Sequence, residues 1–190
     1  MRQRSVMIAM AAVVGALGMT SSAQKTTEVH PGKGGSPHVK TVWTIDGANI
    51  AIEYGRPSIK GRSEAELMPP GKPWRMGADE ATILTTDKQL TFGPQIIGAG
   101  TFTLNTQPDA KEWQLIFGKL AKPGQWGIPY NPTLEVGRAP MKIAKTAKPV
   151  EQLTISIDDT KAGATLRIEW GTARASVDFT VGQGHSHGGF

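Results

Sequence analysis

Two stretches of this chain, Leu153-Thr-Ile-Ser-Ile157 and Leu166-Arg-Ile-Glu-Trp170, alternate apolar and polar residues with a period of two. Successive side chains of an extended strand point to opposite faces, so this pattern buries one face and wets the other. The same reading extends along most of the chain. Val39–Ile45 and Ile50–Tyr54 flank Asp46-Gly47-Ala48-Asn49, a hairpin with a glycine-bearing loop. Thr82–Thr86 and Leu90–Phe92 follow, then Thr101–Thr106 and Trp113–Phe117 around Gln107–Lys111. Met141–Ala144, Val150–Ile157, Ala164–Trp170 and Ala173–Val181 complete the set. No segment carries a sustained helical period beyond one turn at Ser63–Leu67. Short strands with Gly/Pro turns and no strand–helix alternation predict an all-β antiparallel fold, a β-sandwich or jelly-roll-like domain over residues 38–181.

Two long connections interrupt that rhythm, Gly55–Gly77 and Gly118–Gly137. Connections this long in a small domain are either functional or disordered. Trp74, Trp126 and Tyr130 argue for order, because large aromatic rings are placed where they can pack.

The ends read differently. Arg2 and Arg4 precede an uncharged run from Val6 to Met19, and Ala23 sits at a small-residue cleavage position. As a helix the run spans roughly 21 Å, whereas a bilayer core needs about 30 Å. Residues 1–23 are therefore expected to be a secretory signal peptide rather than a short membrane anchor, and the mature protein to be periplasmic or extracellular. Losing Arg2 and Arg4 brings the formal charge from +5 to +3. With no long basic block, that modest excess predicts no nucleic-acid partner and no stable membrane attachment. The chain has no cysteine. Thiol catalysis, disulfides and cysteine-based metal sites are excluded, so the core alone must hold the fold. Residues 24–37 and 182–190, polar and rich in Gly, read as a flexible lead-in and a flexible tail.

The candidate chemistry concentrates in the two loops. Arg56, Lys60 and Arg62 lie among Gly55, Pro57 and Gly61, where they could clamp a carboxylate or phosphate. The alternative is that they pair with Glu64, Glu66, Asp79 or Glu80 and staple the loop down. Trp74-Arg75 with Asp79-Glu80 could form a local ion pair, with Arg75 and Asp79 four apart. The same carboxylates could instead serve a hydrolase, with Glu135 or Glu169 as partner at roughly 5–9 Å. Trp74, Trp126 and Tyr130 could line a sugar-binding groove or cap the core. His38 could act as a base or ligand, but no nucleophile elbow accompanies it. A metal site needs at least three converging ligands. His30 falls in the lead-in, and His185 and His187 in the tail, so no metal site and no cofactor are expected.

Further motifs carry a family resemblance. They include Ser36-Pro-His38, Ile45-Asp-Gly-Ala-Asn-Ile50, Tyr54-Gly-Arg-Pro57, Lys60-Gly-Arg62 and Trp74-Arg75. Gly77-Ala-Asp-Glu-Ala-Thr82, Leu84-Thr-Thr-Asp87, Ala99-Gly-Thr101 and Glu112-Trp-Gln-Leu-Ile116 continue the series. Gln125-Trp-Gly127, Gly137-Arg138 and Ile168-Glu-Trp170 complete it. In these the chain resembles the bacterial domain of unknown function family 2911, over about residues 36–181. The resemblance implies an exported β-rich domain and carries no activity with it. Three functions remain: a module binding a glycan, an anion or a protein at the two loops, a structural domain of the cell envelope, or a secreted hydrolase.

Overall fold

The computed structural model describes residues 24–182. The expected signal peptide at 1–23 and residues 183–190 of the expected tail lie outside the described residues. The strands are β1 (Lys25–His30), β2 (His38–Ile45), β3 (Ala48–Gly55), β4 (Thr82–Thr86) and β5 (Leu90–Phe92). They continue as β6 (Gln95–Ile97), β7 (Gly100–Gln107), β8 (Trp113–Lys119), β9 (Glu135–Thr160) and β10 (Gly163–Val181). Among the described residues there are one short α-helix, α1 (Glu64–Leu67), and one 3-10 turn at Pro132–Leu134; α1 carries a capping box in which Ser63 and Glu66 satisfy each other's backbone amides.

The fold is antiparallel β almost throughout, as the alternation predicts. Its ladders join into one open ten-stranded sheet, in the order β1-β2-β3-β4-β7-β8-β9-β10-β5-β6. The hydrogen bonds therefore draw one sheet rather than the two of a sandwich. The reason lies in β9 and β10, which are 26 and 19 residues long. Starting beside β8, β9 crosses over to pair with β10 along most of its length. Its register with β10 slips on either side of Gly171, where the partner residue jumps from Thr154 to Val150 and then to Lys145. Bulges of this kind bend a strand and sharpen its twist.

The sheet curls far enough for distant strands to touch. Phe92 of β5 packs between Phe117 of β8 and Phe179 of β10, with ring centroids 5.0 and 4.9 Å apart. The Tyr54 hydroxyl on β3 accepts the backbone N–H of Ile155 on β9 at 2.9 Å. Burial raises the Tyr54 phenol above its ordinary value. Trp43, Ile45, Ile50, Ile52, Leu84, Leu104, Leu115, Leu153 and Leu166 all lie in the enclosed core. Alternation along β2 and β3 produces this: their inward residues are buried while Lys40, Thr44 and Asn49 face water. The β2–β3 hairpin is tighter than its sequence suggests. Ile45 pairs with Ala48, so only Asp46 and Gly47 turn, both with positive φ as a type I′ turn requires.

The lead-in needs correcting. Lys25–His30, read from the sequence as part of a flexible segment, forms the edge strand β1 on β2, and Thr26 shares a hydroxyl hydrogen bond with Thr41. Its side chains are mostly exposed, so it lacks the apolar alternation by which strands are recognised. Backbone pairing with an ordered neighbour makes it a strand.

Replacing Tyr54 by Phe removes the acceptor for the buried Ile155 N–H. A loss of about 1–3 kcal/mol in unfolding free energy is expected. Urea denaturation checks it through a lower midpoint with an unchanged slope.

Candidate functional site

The first long loop leaves β3 at Gly55 and returns to the same place. The Ala78 N–H donates to the Gly55 carbonyl at 3.3 Å. A Cβ on Gly55 would lie 2.4 Å from the Ala78 carbonyl oxygen, so this closure requires glycine. Between these ends the loop is bonded along its length. The Ile59 N–H donates to the Glu151 carbonyl and the Leu153 N–H to the Pro57 carbonyl, and Trp74 pairs both ways with Thr106 of β7. Trp74 is buried, stacked on Trp170 at 5.6 Å and edge-on to Trp113 at 6.5 Å. It belongs to the core and forms a floor rather than an open platform.

The second long loop lies against the first. Ala81 N–H donates to Gln125 O, Gly127 N–H donates to Asp79 O, and Glu80 bridges Trp126. Gly127 sits so close to the Arg75 side chain that a Cβ there would be 2.8 Å from its Cδ. The two loops that interrupt the strand pattern therefore meet.

Where they meet, a groove of about 560 Å³ opens, lined by Lys33, Lys60, Arg62, Arg75, Asp79 and Ile128, with Trp74 and Trp170 beneath. The ion-pair alternative for these cations is not what the structure contains. Among the described residues, none of Lys33, Lys60, Arg62 and Arg75 has a carboxylate within salt-bridge distance. The acids expected to pair with them are engaged elsewhere. Glu64 accepts from the backbone and hydroxyl of Thr172, and Glu66 caps α1 at Ser63. Asp79 accepts the Lys33 backbone N–H at 2.8 Å, and Glu80 faces two histidines. Arg62 is oriented by the carbonyls of Ser58 and Ile59, and Arg75 by that of Gly77. These bonds aim the guanidinium groups, and the Glu66 carboxylate, which feels the Arg62 charge, lies beyond ion-pair distance of it. Lys33, from the lead-in, also stands 5.4 Å from the Trp126 ring centre, a cation–π distance.

Two predicted residues have other roles. Arg56 donates to the Leu153 carbonyl at 3.0 Å and to the Thr154 hydroxyl at 3.1 Å, so it ties the loop to β9. The Tyr130 hydroxyl donates to Glu135, which Arg138 grips in bidentate fashion at 2.7 and 2.9 Å. The Arg138 hydrogen bonds hold the Glu135 carboxyl below its ordinary value. Burial, and then the bond to Glu135, push the Tyr130 phenol up. This trio fastens the second loop, and the gap beside it encloses only about 40 Å³, room for little more than water. Glu169, the other carboxylate considered for hydrolysis, is paired with Arg174. Trp126 and Ile128 are exposed at 44% and 54%; Ile128 lines the cationic groove, whereas Trp126 lines the small gap beside Tyr130 and meets the groove through Lys33.

His38 opens β2 and is 2% exposed. Its Nε2 lies 3.4 Å from Glu53 Oε1 and its Nδ1 3.6 Å from Glu80 Oε2. His30, at the end of β1, stacks on it at 4.7 Å and reaches Glu80 Oε2 from its Nε2 at 3.7 Å. Nothing in the sequence marks His30 as a neighbour of His38, because β1 carries no apolar alternation. The antiparallel register, which pairs His30 with His38, is what joins them.

The sequence profile of one family, described as a protein of unknown function (DUF2911), matches residues 36–179. The chain belongs to that family. The matched stretch begins after β1, so it includes His38 and Glu80 but not His30. No curated protein and no solved structure matches the chain. Among the described residues, no helix is long and apolar enough to cross a membrane.

The Tyr130–Glu135–Arg138 trio sets a pH signature. The folded carboxyl titrates below its unfolded value. Its stabilisation is therefore complete above the ordinary carboxylate range and disappears as pH falls through the lowered folded value. With water still reaching the pair, Glu135→Gln is expected to cost about 1 kcal/mol at neutral pH. Denaturation curves of the two proteins should converge as the solution is acidified.

Proposed function

We propose that this chain is an exported domain that binds a small anionic ligand, such as an acidic sugar, in the groove between its two long loops. The observation that carries this reading is four cations against one carboxylate in a groove of about 560 Å³. Cations without anionic partners raise the local concentration of an anion and offer hydrogen bonds whose direction is already set. The volume lies within the range of small-molecule sites, about 300–1,000 Å³. The neighbouring apolar surface of Trp126 and Ile128 suits the carbon skeleton of a sugar better than a bare inorganic ion. Export rests on residues 1–23: two arginines, an uncharged run too short to span a bilayer, and small residues before Gln24.

A screen of phosphorylated and carboxylated sugars by thermal shift, followed by titration calorimetry of the best binder, tests this reading. Each hydrogen bond to a charged group is worth about 1.5–3 kcal/mol. Lys60→Ala and Arg62→Ala should therefore each weaken binding about tenfold or more, since 1.4 kcal/mol is a factor of about ten. Raised salt should weaken it further. Arg56→Lys should lower the melting temperature and leave the affinity unchanged. A screen without a single stabilising anion would sink the proposal, as would a Lys60/Arg62 double variant that binds as tightly as the parent.

A further inference from the structure

Two buried side-chain atoms have no hydrogen-bond partner among the described residues, Nδ1 of His38 and Oε2 of Glu80, and they face each other at 3.6 Å. That separation is too long for a good hydrogen bond. A nitrogen lone pair and a carboxylate oxygen, both desolvated, make an expensive arrangement unless a cation lies between them. The Nε2 of His30 stands 3.7 Å from the same oxygen. One ligand atom from each of the three side chains falls within 4.8 Å of the others. In a tetrahedral zinc site with bonds of about 2.0–2.1 Å, neighbouring ligand atoms are about 3.3 Å apart. The Glu80 oxygen is thus already close to the spacing it would have as a shared ligand of both histidines.

We propose that His30, His38 and Glu80 hold one divalent zinc-class ion, leaving one coordination position open to water or a ligand. Two imidazoles and a carboxylate favour zinc and its first-row neighbours over calcium or magnesium, which take all-oxygen sets. An outer partner for His38 stands close by, a few tenths of an ångström beyond the usual hydrogen-bond distance. The His38 Nε2 faces Glu53 Oε1 at 3.4 Å, so a proton on Nε2 leaves the Nδ1 lone pair free for the ion. The cluster is also well anchored. His38 is at the start of β2, Glu53 is on β3, and Glu80 is next to Asp79, whose carboxylate fixes the Lys33 backbone.

His30 is the ligand that must move. Its ring lies parallel to that of His38, within 12°, and its Nδ1 accepts the Gly32 N–H at 3.1 Å. Coordination through Nε2 requires the ring to tilt and the proton to sit on Nδ1, which releases the Gly32 amide. His30 is partly exposed at the end of an edge strand, so the room to tilt exists. The site does not depend on anion binding by the groove.

Zinc titration tests the proposal, carried out on the whole protein carrying His185→Ala and His187→Ala so that the two tail histidines cannot contribute. One equivalent of zinc should bind with micromolar affinity or better. Glu80→Gln and His30→Ala should each weaken it at least a hundredfold, and Glu53→Gln by about 10–100-fold. Circular dichroism of each variant should show the fold intact, His30 and Glu80 both being partly exposed. Addition of zinc should shift the Gly32 amide resonance, and cobalt in its place should give the visible absorption of a four-coordinate nitrogen–oxygen site. Zinc binding unchanged in folded His30→Ala and Glu80→Gln proteins would overturn the assignment. So would its disappearance on removing the two tail histidines alone, or no binding at all, which would mean that a proton bridges His38 and Glu80. A failed anion screen would leave this result standing.

Discussion

The close approach of Gly55 to Ala78 is the constraint on which the rest of the site depends. It brings the first loop back to where it began and delivers Asp79 and Glu80 to the start of β4. No side chain larger than hydrogen fits at Gly55, because a Cβ would overlap the Ala78 carbonyl. From that closure everything nearby follows. Asp79 reaches the Lys33 amide, Glu80 reaches both histidines, and the backbone of Asp79 and Ala81 on either side of Glu80 receives the second loop. An ordinary antiparallel step from β3 to β4 thereby becomes a platform on which Asp79 lines the cationic groove and Glu80 meets the histidine pair.

Charge is distributed over this platform with a clear division. The carboxylates that might have cancelled the loop cations are held by hydroxyls, backbone amides or imidazoles. The arginines are held by backbone carbonyls, which orient a guanidinium but leave its charge intact. Elsewhere the acids and bases of this chain do pair, as Glu135 does with Arg138 and Glu169 with Arg174. The contrast distinguishes the groove from the surrounding surface. The anion reading and the metal reading both arise from it, one from uncancelled positive charge and the other from a carboxylate facing an unpartnered imidazole.

Much of the fold was legible in the sequence because alternation is a local signal. β2, β3, β4, β7 and β8 fall on the segments whose period-two pattern marks them. β1 was not legible, because an edge strand exposed along its length has no apolar face to announce it. The joining of β9 and β10 into one sheet was also hidden, since bulges around Gly171 carry the ladder past positions where the pattern lapses. The site was partly visible. Lys60, Arg62, Arg75 and Asp79, candidates by residue type, do line one groove with Trp74 as its floor, while Arg56 and Tyr130 serve as anchors. Residue type alone could not separate these groups, because an arginine that binds a carbonyl reads the same as one that awaits an anion.

The amino-acid sequence by itself determined that this chain folds as antiparallel strands, that no disulfide supports it, and that its polar and aromatic side chains gather in two long connections. Periodicity, composition and turn residues act over a few positions, so they can be read without a structure. Only the tertiary structure decided that the connections meet, which cations remain unpaired, and that His30, His38 and Glu80 converge. Those outcomes depend on strand register and loop closure between residues far apart in the chain, 50 positions for His30 and Glu80 and 108 for Glu64 and Thr172. Such contacts are set by the packing of the whole sheet, because no local pattern encodes which distant partner a strand edge will meet.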